Sequence, residues 1–447
     1  MKRRSALLAG QALPALLVLA FLGARGMPAA RAAEPGSPRL VVLNKEDNTL
    51  AVVDPGSMKV LRTVPTGEGP HEVVTSADGK VAYVANYGAQ KPGSTLSVVD
   101  LEAGKETRRV DLGALRRPHG LVEVGGKIYF TAEGNSAVAR YDPVSDRVDW
   151  IMGTGQIGTH MLVVHPDGNR IYTANIGSGT VSVLDLLPTP GPPGVAHIAV
   201  GKEPEAIALS PDGNELWVGS RAGGGITIVD TVSDTVKASI PFEGVPIRLQ
   251  FTPDGKRVLA SNPPGAELAI FDAATRKETK RVPVGPVPVG IVVTPDGKRA
   301  FVATVGANSV VSVDLETLAV AGTVETGAQP DGLAWAAVWT APTIAMRPQG
   351  FLGVAIAPLS EEVRKGNNLE SSEGVVVQAL PPGSAAGAAG VQEGDVILAV
   401  NGVKVPDVPR FLRLVTRGRA GDVLELELVR RGRKITKKAT LAERPKA

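Results

Sequence analysis

Apolar segments of five residues that close on aspartate or its equivalent recur along the chain: LAVVD (50–54), LSVVD (96–100), VARYD (138–142), VSVLD (181–185), ITIVD (226–230), LAIFD (268–272) and VVSVD (310–314). Each is preceded by an apolar run such as VAYVAN or IYTAN, and followed by a half-polar run such as KASIPF and then a Pro-led run such as EAIALS. Short runs rich in Val, Ile, Thr and Tyr between turn residues read as strands, so each repeat supplies four. Asp78-Gly79, Gly125-Gly126, Asp167-Gly168, Asp212-Gly213, Asp254-Gly255 and Asp296-Gly297 separate them as hairpin dipeptides that need positive φ. Four strands in every ~40–45 residues, in a radial array, predict a mainly β protein built as a seven-bladed β-propeller.

The phase of the repeat predicts how the ring closes. Three strands, over residues 39–66, come first and lack an inner partner, while a lone strand, Asp331 to Ala336, comes last. Pairing the two completes the first blade and removes two exposed sheet edges. The aspartate that ends each repeated segment is read as turn chemistry, its carboxylate accepting from backbone N–H groups two residues on, with no further role.

Tyr83-Val84-Ala85-Asn86 and Tyr172-Thr173-Ala174-Asn175, the latter running into TVSVLD, together with the Pro-Asp-Gly turns, resemble the YVTN-repeat propeller family over residues 39–337. The resemblance implies the fold and little more, since similar repeats serve in surface-layer proteins, lactonase-like enzymes and haem-carrying nitrite reductase domains.

After Trp335 the repeat stops, and residues 338–350 read as a Pro-containing linker. Residues 351–443 have another character: Phe351-Leu352-Gly353-Val354, a strand over 374–381, Gly383-Ser384-Ala385-Ala386, then Glu393-Gly394-Asp395-Val396-Ile397 and Val400-Asn401-Gly402, a helix over 407–417 and a basic pair of last strands. This segment resembles the bacterial PDZ domains attached to periplasmic high-temperature-requirement serine proteases. The resemblance implies capture of a partner's C-terminal peptide as an added strand. Its carboxylate would be received by the backbone of Phe351, Leu352, Gly353 and Val354, and its side chains by Leu352, Val354, Ile356, Val408, Leu412 and Val415. The protease that usually accompanies such domains is missing, and the propeller occupies its place.

Composition adds the setting. Lys2-Arg3-Arg4, the apolar run from Ala6 to Leu22 and the small residues Ala30 to Ala33 predict a signal peptide over residues 1–33, hence a periplasmic or extracellular protein with no transmembrane segment after cleavage. Arg3-Arg4 hints weakly at the twin-arginine route. The segment carries five basic and no acidic residues, so its removal turns the formal charge from +3 to −2. From Arg410 onward 12 basic residues face 4 acidic ones, which leaves the rest of the mature chain strongly acidic and would steer an acidic partner to the C-terminal end. No aromatic residue interleaves with the basic run, so no nucleic-acid partner is expected. The chain has no cysteine, which excludes disulfides, thiolate metal sites and c-type haem attachment.

Stacking the inner strands at the residue after their leading proline gives the column His71, His119, His160, Glu205, Ile247, Val289, Asp331. Asp331, His71, His119, His160 and Glu205 come from five consecutive blades and predict one polar arc at the channel mouth, bordered by Asn44, Asn86, Glu133 and Asn175. Regular strand alternation would point these histidines between blades instead, in phase with the apolar third position (Val73, Leu121, Leu162), and would make Glu72 and Arg248 the channel-facing pair. Imidazoles and carboxylates converging in this way suit a small ligand, or a divalent metal such as Zn, Cu or Fe on His71, His119 and His160. Gly153 to Gly158 matches G-x-G-x-x-G but opens no helix, and no histidine follows His197, which argues against a dinucleotide loop and a serine protease. Three readings follow: a binding scaffold in which the PDZ domain docks a partner's tail and the mouth holds a small ligand; a metal-dependent hydrolase, lyase or lactonase-like enzyme with Glu205 or Glu133 as general base; and a cell-envelope structural protein.

Overall fold

The computed structural model describes residues 37–186, 194–337 and 350–443. The expected signal peptide over 1–33 and all but the last residue of the linker lie outside the described residues. Among the described residues, seven four-stranded antiparallel sheets form a β-propeller. Blade 1 is closed by the two ends of the ring: Pro330–Ala336 pairs with Arg39–Asn44, setting Trp335 against Leu40 and Leu333 against Val42. Blades 2 to 7 open with the inner strands Pro70–Thr75, Pro118–Val124, Thr159–Val164, Lys202–Leu209, Arg248–Phe251 and Pro288–Val293. Each then runs outward through three further strands.

The hydrophobic core lies between blades. Tyr83 and Leu96 of blade 2 pack on Phe130 and Tyr141 of blade 3, Trp217 and Ile228 of blade 5 on Phe251 and Phe271 of blade 6, and Phe301 and Val310 of blade 7 on Leu40 and Val53 of blade 1. No blade has a core without its neighbours, which is why the ring must close. A second stitch recurs on the face away from the mouth: the arginine that starts a second strand reaches a turn carbonyl of the next blade, Arg39 to Leu101 (3.0 Å), Arg170 to Thr231 (2.6 Å) and Arg299 to Pro55 (2.8 Å).

The hairpin dipeptides need one correction. Gly125 and Gly126 are both left-handed, whereas in the Asp-Gly pairs only the glycine is, as at Gly79, Gly168, Gly213, Gly255 and Gly297. The preceding aspartate keeps negative φ, and in four of the five pairs its carboxylate accepts from the Ser or Thr two residues back, as Asp78 does from Ser76 and Asp212 from Ser210 (2.6 Å each).

Residues 350–443 form a separate sheet with its own core. Its strands run in the order Ala355–Pro358, Val375–Ala379, Val396–Val400, Val423–Arg430, Arg433–Thr440, so that Ala355–Pro358 is an unpaired edge. Three helices, α1 (Glu361–Gly366), α2 (Ala385–Ala388) and α3 (Val408–Thr416), complete it. α3 is capped by Asp407, which accepts from the Arg410 amide at 2.7 Å. Asp395 is fully buried and gripped by Arg430 through two contacts of 2.6 and 2.7 Å, so one member of the basic strand pair is a structural counter-ion.

Neighbouring inner strands approach so closely that a Cβ at Gly332 would lie 2.4 Å from the His71 carbonyl oxygen. Gly332→Ala is therefore expected to destabilise the propeller by ~1–3 kcal/mol through overpacking at the ring closure. A melting temperature lowered by several degrees checks it.

Candidate functional site

The inner strands do not alternate regularly at their mouth ends. In six of the seven blades the pairing slips by one residue just after the leading residue, between Pro70 and Glu72, Pro118 and Leu121, Thr159 and Leu162, Pro204 and Ala206, and Pro288 and Ile291, and opposite Val42 and Asn44 in blade 1. The extra residue is a β-bulge, and it uncouples the first side chain from the phase of the third. Val73, Leu121 and Leu162 stay buried between blades while the residues before them are re-aimed.

The re-aimed histidines meet. The His71 and His119 ring centroids lie 5.2 Å apart, and those of His119 and His160 3.8 Å at 33°. Tyr87 joins them, 4.7 Å from His71 and edge-on to His119 at 5.4 Å, with the Arg117 guanidinium over its ring at 4.7 Å from the centroid. Around this aromatic stack run the acids. Glu133 accepts from Tyr87 (3.1 Å) and contacts His160 Nδ1 (2.7 Å), His160 Nε2 lies 3.9 Å from Glu205, Glu205 accepts from Arg221 (2.9 Å), and Asp331 from Lys45 (3.2 Å). A cavity of about 480 Å³ lined by Lys45, Glu46, Asn48, Glu68 and His71 opens beside them.

Electrostatics follow the packing. Burial pushes the His119 imidazole well below its ordinary value, helped by the nearby His160 and His71, and its Nδ1 has no hydrogen-bond partner among the described residues. Burial also lowers His71, partly offset by Asp331, while its Nδ1 is anchored on the Gly69 carbonyl at 3.0 Å. Burial alone would raise Glu133, but the His160 contact, Tyr87 and Arg117 outweigh it and hold this carboxylate below its usual range. One residue deeper, Glu72 of blade 2 and Arg248 of blade 6 meet at 2.5 Å, and Arg248 also reaches the Met161 sulfur. These blades face each other, so the pair crosses the channel. Burial pushes the Glu72 carboxyl up, opposed by Arg248.

Several expected roles change. Asn86 and Asn175 are buried and fully engaged: Asn86 accepts from the Gly67 amide (3.1 Å) and donates to Thr95 and Ser97, and Asn175 accepts from Thr159 and Thr173 and donates to Thr180 and Ser182. Asn86 ties its blade to the loop before it, and Asn175 ties together three strands of its own blade. The three histidines come together as a stack rather than as a ligand set. Among the described residues no group of three or more His, Asp or Glu side chains is placed to hold a metal ion, because imidazoles face to face direct their nitrogens around the rim. His165 and His197 lie elsewhere, against the Gly213 carbonyl and Ser182.

Lys45, Tyr87 and Arg221 were not among the expected residues. They stand at the mouth ends of their second strands, one residue after the positions of Asn44, Asn86 and Ser220, where the column reads Lys45, Tyr87, Glu133, Ile176, Arg221, Pro263, Val305. This second column is polar on the same side of the ring as the first, so stacking it would have found them.

The peptide-binding candidates divide between core and groove. Leu352 and Val415 are buried in the core, Phe351 is held in a short strand against Ala442, and Val354, Ile356, Val408 and Leu412 are half-buried along the cleft between the edge strand and α3. Gly353 is left-handed, and the amides of Leu352, Gly353 and Val354 donate to no described residue. An unpaired strand edge beside free amides is the apparatus of strand addition.

Residues 342–428 match the PDZ domain family, so the chain carries a PDZ domain of the protein-interaction kind. Similar curated proteins include a probable periplasmic serine endoprotease, DegP-like, of Chlamydia pneumoniae (34% identical over 98 residues, 22% of this chain and 20% of that protein) and one of Halomonas elongata (33% over 84 residues, 19% and 18%). The chain thus spans about a fifth of the length of the curated relatives it matches. Among solved structures, the Kuenenia stuttgartiensis hydrazine synthase (TM-score 0.55, 21% identity, 62% of this chain and 92% of that one) and a putative 6-phosphogluconolactonase from Bacteroides uniformis (0.57, 16%, 67% and 99%) share the propeller fold. At these identities the likeness concerns fold alone. No described helix is long and apolar enough to cross a membrane.

Two outcomes are expected. Truncating Glu72 to Ala strands a buried guanidinium and lowers stability by ~3 kcal/mol, measured by denaturant titration. His71 and His119 bind protons more readily unfolded than folded, so as pH falls below 6.5 the propeller loses stability progressively, and His119→Gln flattens the slope of melting temperature against pH.

Proposed function

We propose that this chain is an extracytoplasmic binding scaffold of YVTN-repeat type, whose PDZ groove captures the C-terminal peptide of a partner protein and whose propeller mouth holds a small ligand. The observation that carries the first half is the free edge Ala355–Pro358 with the unpaired amides of Leu352, Gly353 and Val354 at its head. A peptide strand added there gains main-chain hydrogen bonds, its carboxylate meets the amides, and its apolar side chains reach Val354, Ile356 and Leu412. The periplasmic relatives of the PDZ segment support the extracytoplasmic setting. At the mouth, Lys45 and His71 line a small cavity, and His119, His160, Glu133, Glu205 and Asp331, with Tyr87 and Arg221, continue the row of donors and acceptors beyond it, which suits a polar ligand held by hydrogen bonds.

A second reading rests on the Glu133–His160 contact. A carboxylate at 2.7 Å from Nδ1 fixes the orientation of the ring and is itself occupied by that contact, so His160 rather than Glu133 would be the general base of a hydrolase, lyase or lactonase-like site. Loss of turnover in His160→Asn on a lactone panel, with the fold intact, would establish this reading.

The peptide half is tested with fluorescein-labelled decapeptides ending in free Val, Leu, Ile or Phe. The full chain should bind at least one, amidation of its C-terminus should weaken binding more than tenfold, and Leu412→Glu should abolish it. Equal binding of the acid and amide forms would sink the carboxylate assignment.

A further inference from the structure

Six of the seven repeated aspartates do what turn chemistry demands: Asp54, Asp100, Asp142, Asp230, Asp272 and Asp314 each accept from backbone amides of their own turn, at 2.7–2.9 Å for the shortest contact in each. Asp185, of blade 4, stands just before residues 187–193, which lie outside the described residues. It lies 3.9 Å from Arg417 and 4.0 Å from Arg413, both in the PDZ domain. Blade 5 contributes its third-to-fourth strand turn to the same cluster. Arg417 contacts Asp234 at 2.6 Å and donates to the Val232 carbonyl at 2.8 Å, and Arg410 donates to the Ser233 carbonyl at 2.5 Å. Arg419 stands 3.8 Å from Asp167. Arg417 and Asp234 are almost wholly buried. These turns close the ends of strands that begin at the mouth, so the PDZ domain is held on the opposite face of the ring.

Helix α3 therefore carries two surfaces. At about 100° per residue, Arg410 and Arg413, with Arg417 just past its end, fall on one flank, and Val408, Leu412 and Val415 fall on the opposite flank, with Phe411 and Leu414 turned to the core between them. One flank grips the propeller and the other walls the peptide groove. The grip is made of charges and carbonyls, and among the described residues no hydrophobic cluster spans the two domains. Domains joined by polar contacts without a shared apolar core are free to move relative to one another more readily than domains joined by a hydrophobic interface.

We propose that the propeller regulates peptide capture through α3: docking of Arg410, Arg413 and Arg417 on blades 4 and 5 fixes the helix against which a C-terminal peptide must pack, so the docked chain binds an apolar-ended peptide more tightly than the released one. This rests on the PDZ groove reading above. The propeller-side clamp removes freedom that the peptide would otherwise have to remove itself. Reciprocity then requires that bound peptide strengthen docking by the same factor.

The test uses the full chain, the labelled decapeptides above, and small-angle scattering to report docking. Asp234→Asn and Arg417→Gln each break the clamp, and Asn keeps the left-handed backbone of Asp234 (φ 52°). Both variants should expand the chain, weaken the peptide at least fivefold, and give a double variant no weaker than the single ones, while saturating peptide compacts the single variants. Expansion with unchanged or tighter peptide binding would overturn the coupling, as would variants that stay compact. If the unaltered chain binds none of the peptides, the groove reading fails first, and the coupling falls with it.

Discussion

Ring closure between Pro330–Ala336 and Arg39–Asn44 is the constraint on which the rest depends. Each blade buries its faces only against neighbours, so an open ring would leave the apolar faces of blades 1 and 7 in water. Closure also fixes the spacing of the inner strands. Glycines such as Gly332 let those strands approach until backbone meets backbone, and the residues at their mouth ends are brought into contact whatever their chemistry. Lys45 and Asp331, from the two ends of the ring, pair only because it closes.

The mouth is a place where the repeat has been spent on something other than packing. Bulges free one side chain in six of the blades, and five consecutive blades use that freedom for polar groups, while blade 7 places Val289 there and blade 6, which has no such bulge, carries Ile247. Packed imidazoles, with His71 and His119 held below their ordinary value by burial, and carboxylates that already hold partners form a surface of preset hydrogen bonds rather than of loose charge. A buried His119 nitrogen without a partner is a cost carried by the fold, of the kind that binding sites retain.

The fold was legible because the propeller repeats: the aspartate-ended segments mark every third strand, and the unmatched first and last segments announce the closure. The first polar column was legible for the same reason. The direction of its side chains was not, because a bulge is a shift in pairing and leaves no periodic trace. Asn86 and Asn175 looked like mouth residues because they stand one residue before the second polar column, yet their amides are consumed by hydroxyls of their own blades and, for Asn86, by the Gly67 amide. Asp185 was hidden because a column of turn aspartates gives no sign of which member also meets a basic side chain from the other domain. The acidic body and basic C-terminal end, read as an invitation to an outside partner, are in part each other's partner, since four of the C-terminal arginines lie against propeller aspartates.

The Glu72–Arg248 pair gives the lumen a crossbar. A solute that enters past the histidines meets this pair one residue down, so the first charge it finds inside the ring is already balanced, and an ion of either sign gains little by going deeper. Between the two faces of the ring, blades 4 and 5 offer a route through protein, since His160 and Glu205 stand at their mouth ends and Asp185 and Asp234 meet arginines of the PDZ domain at the other.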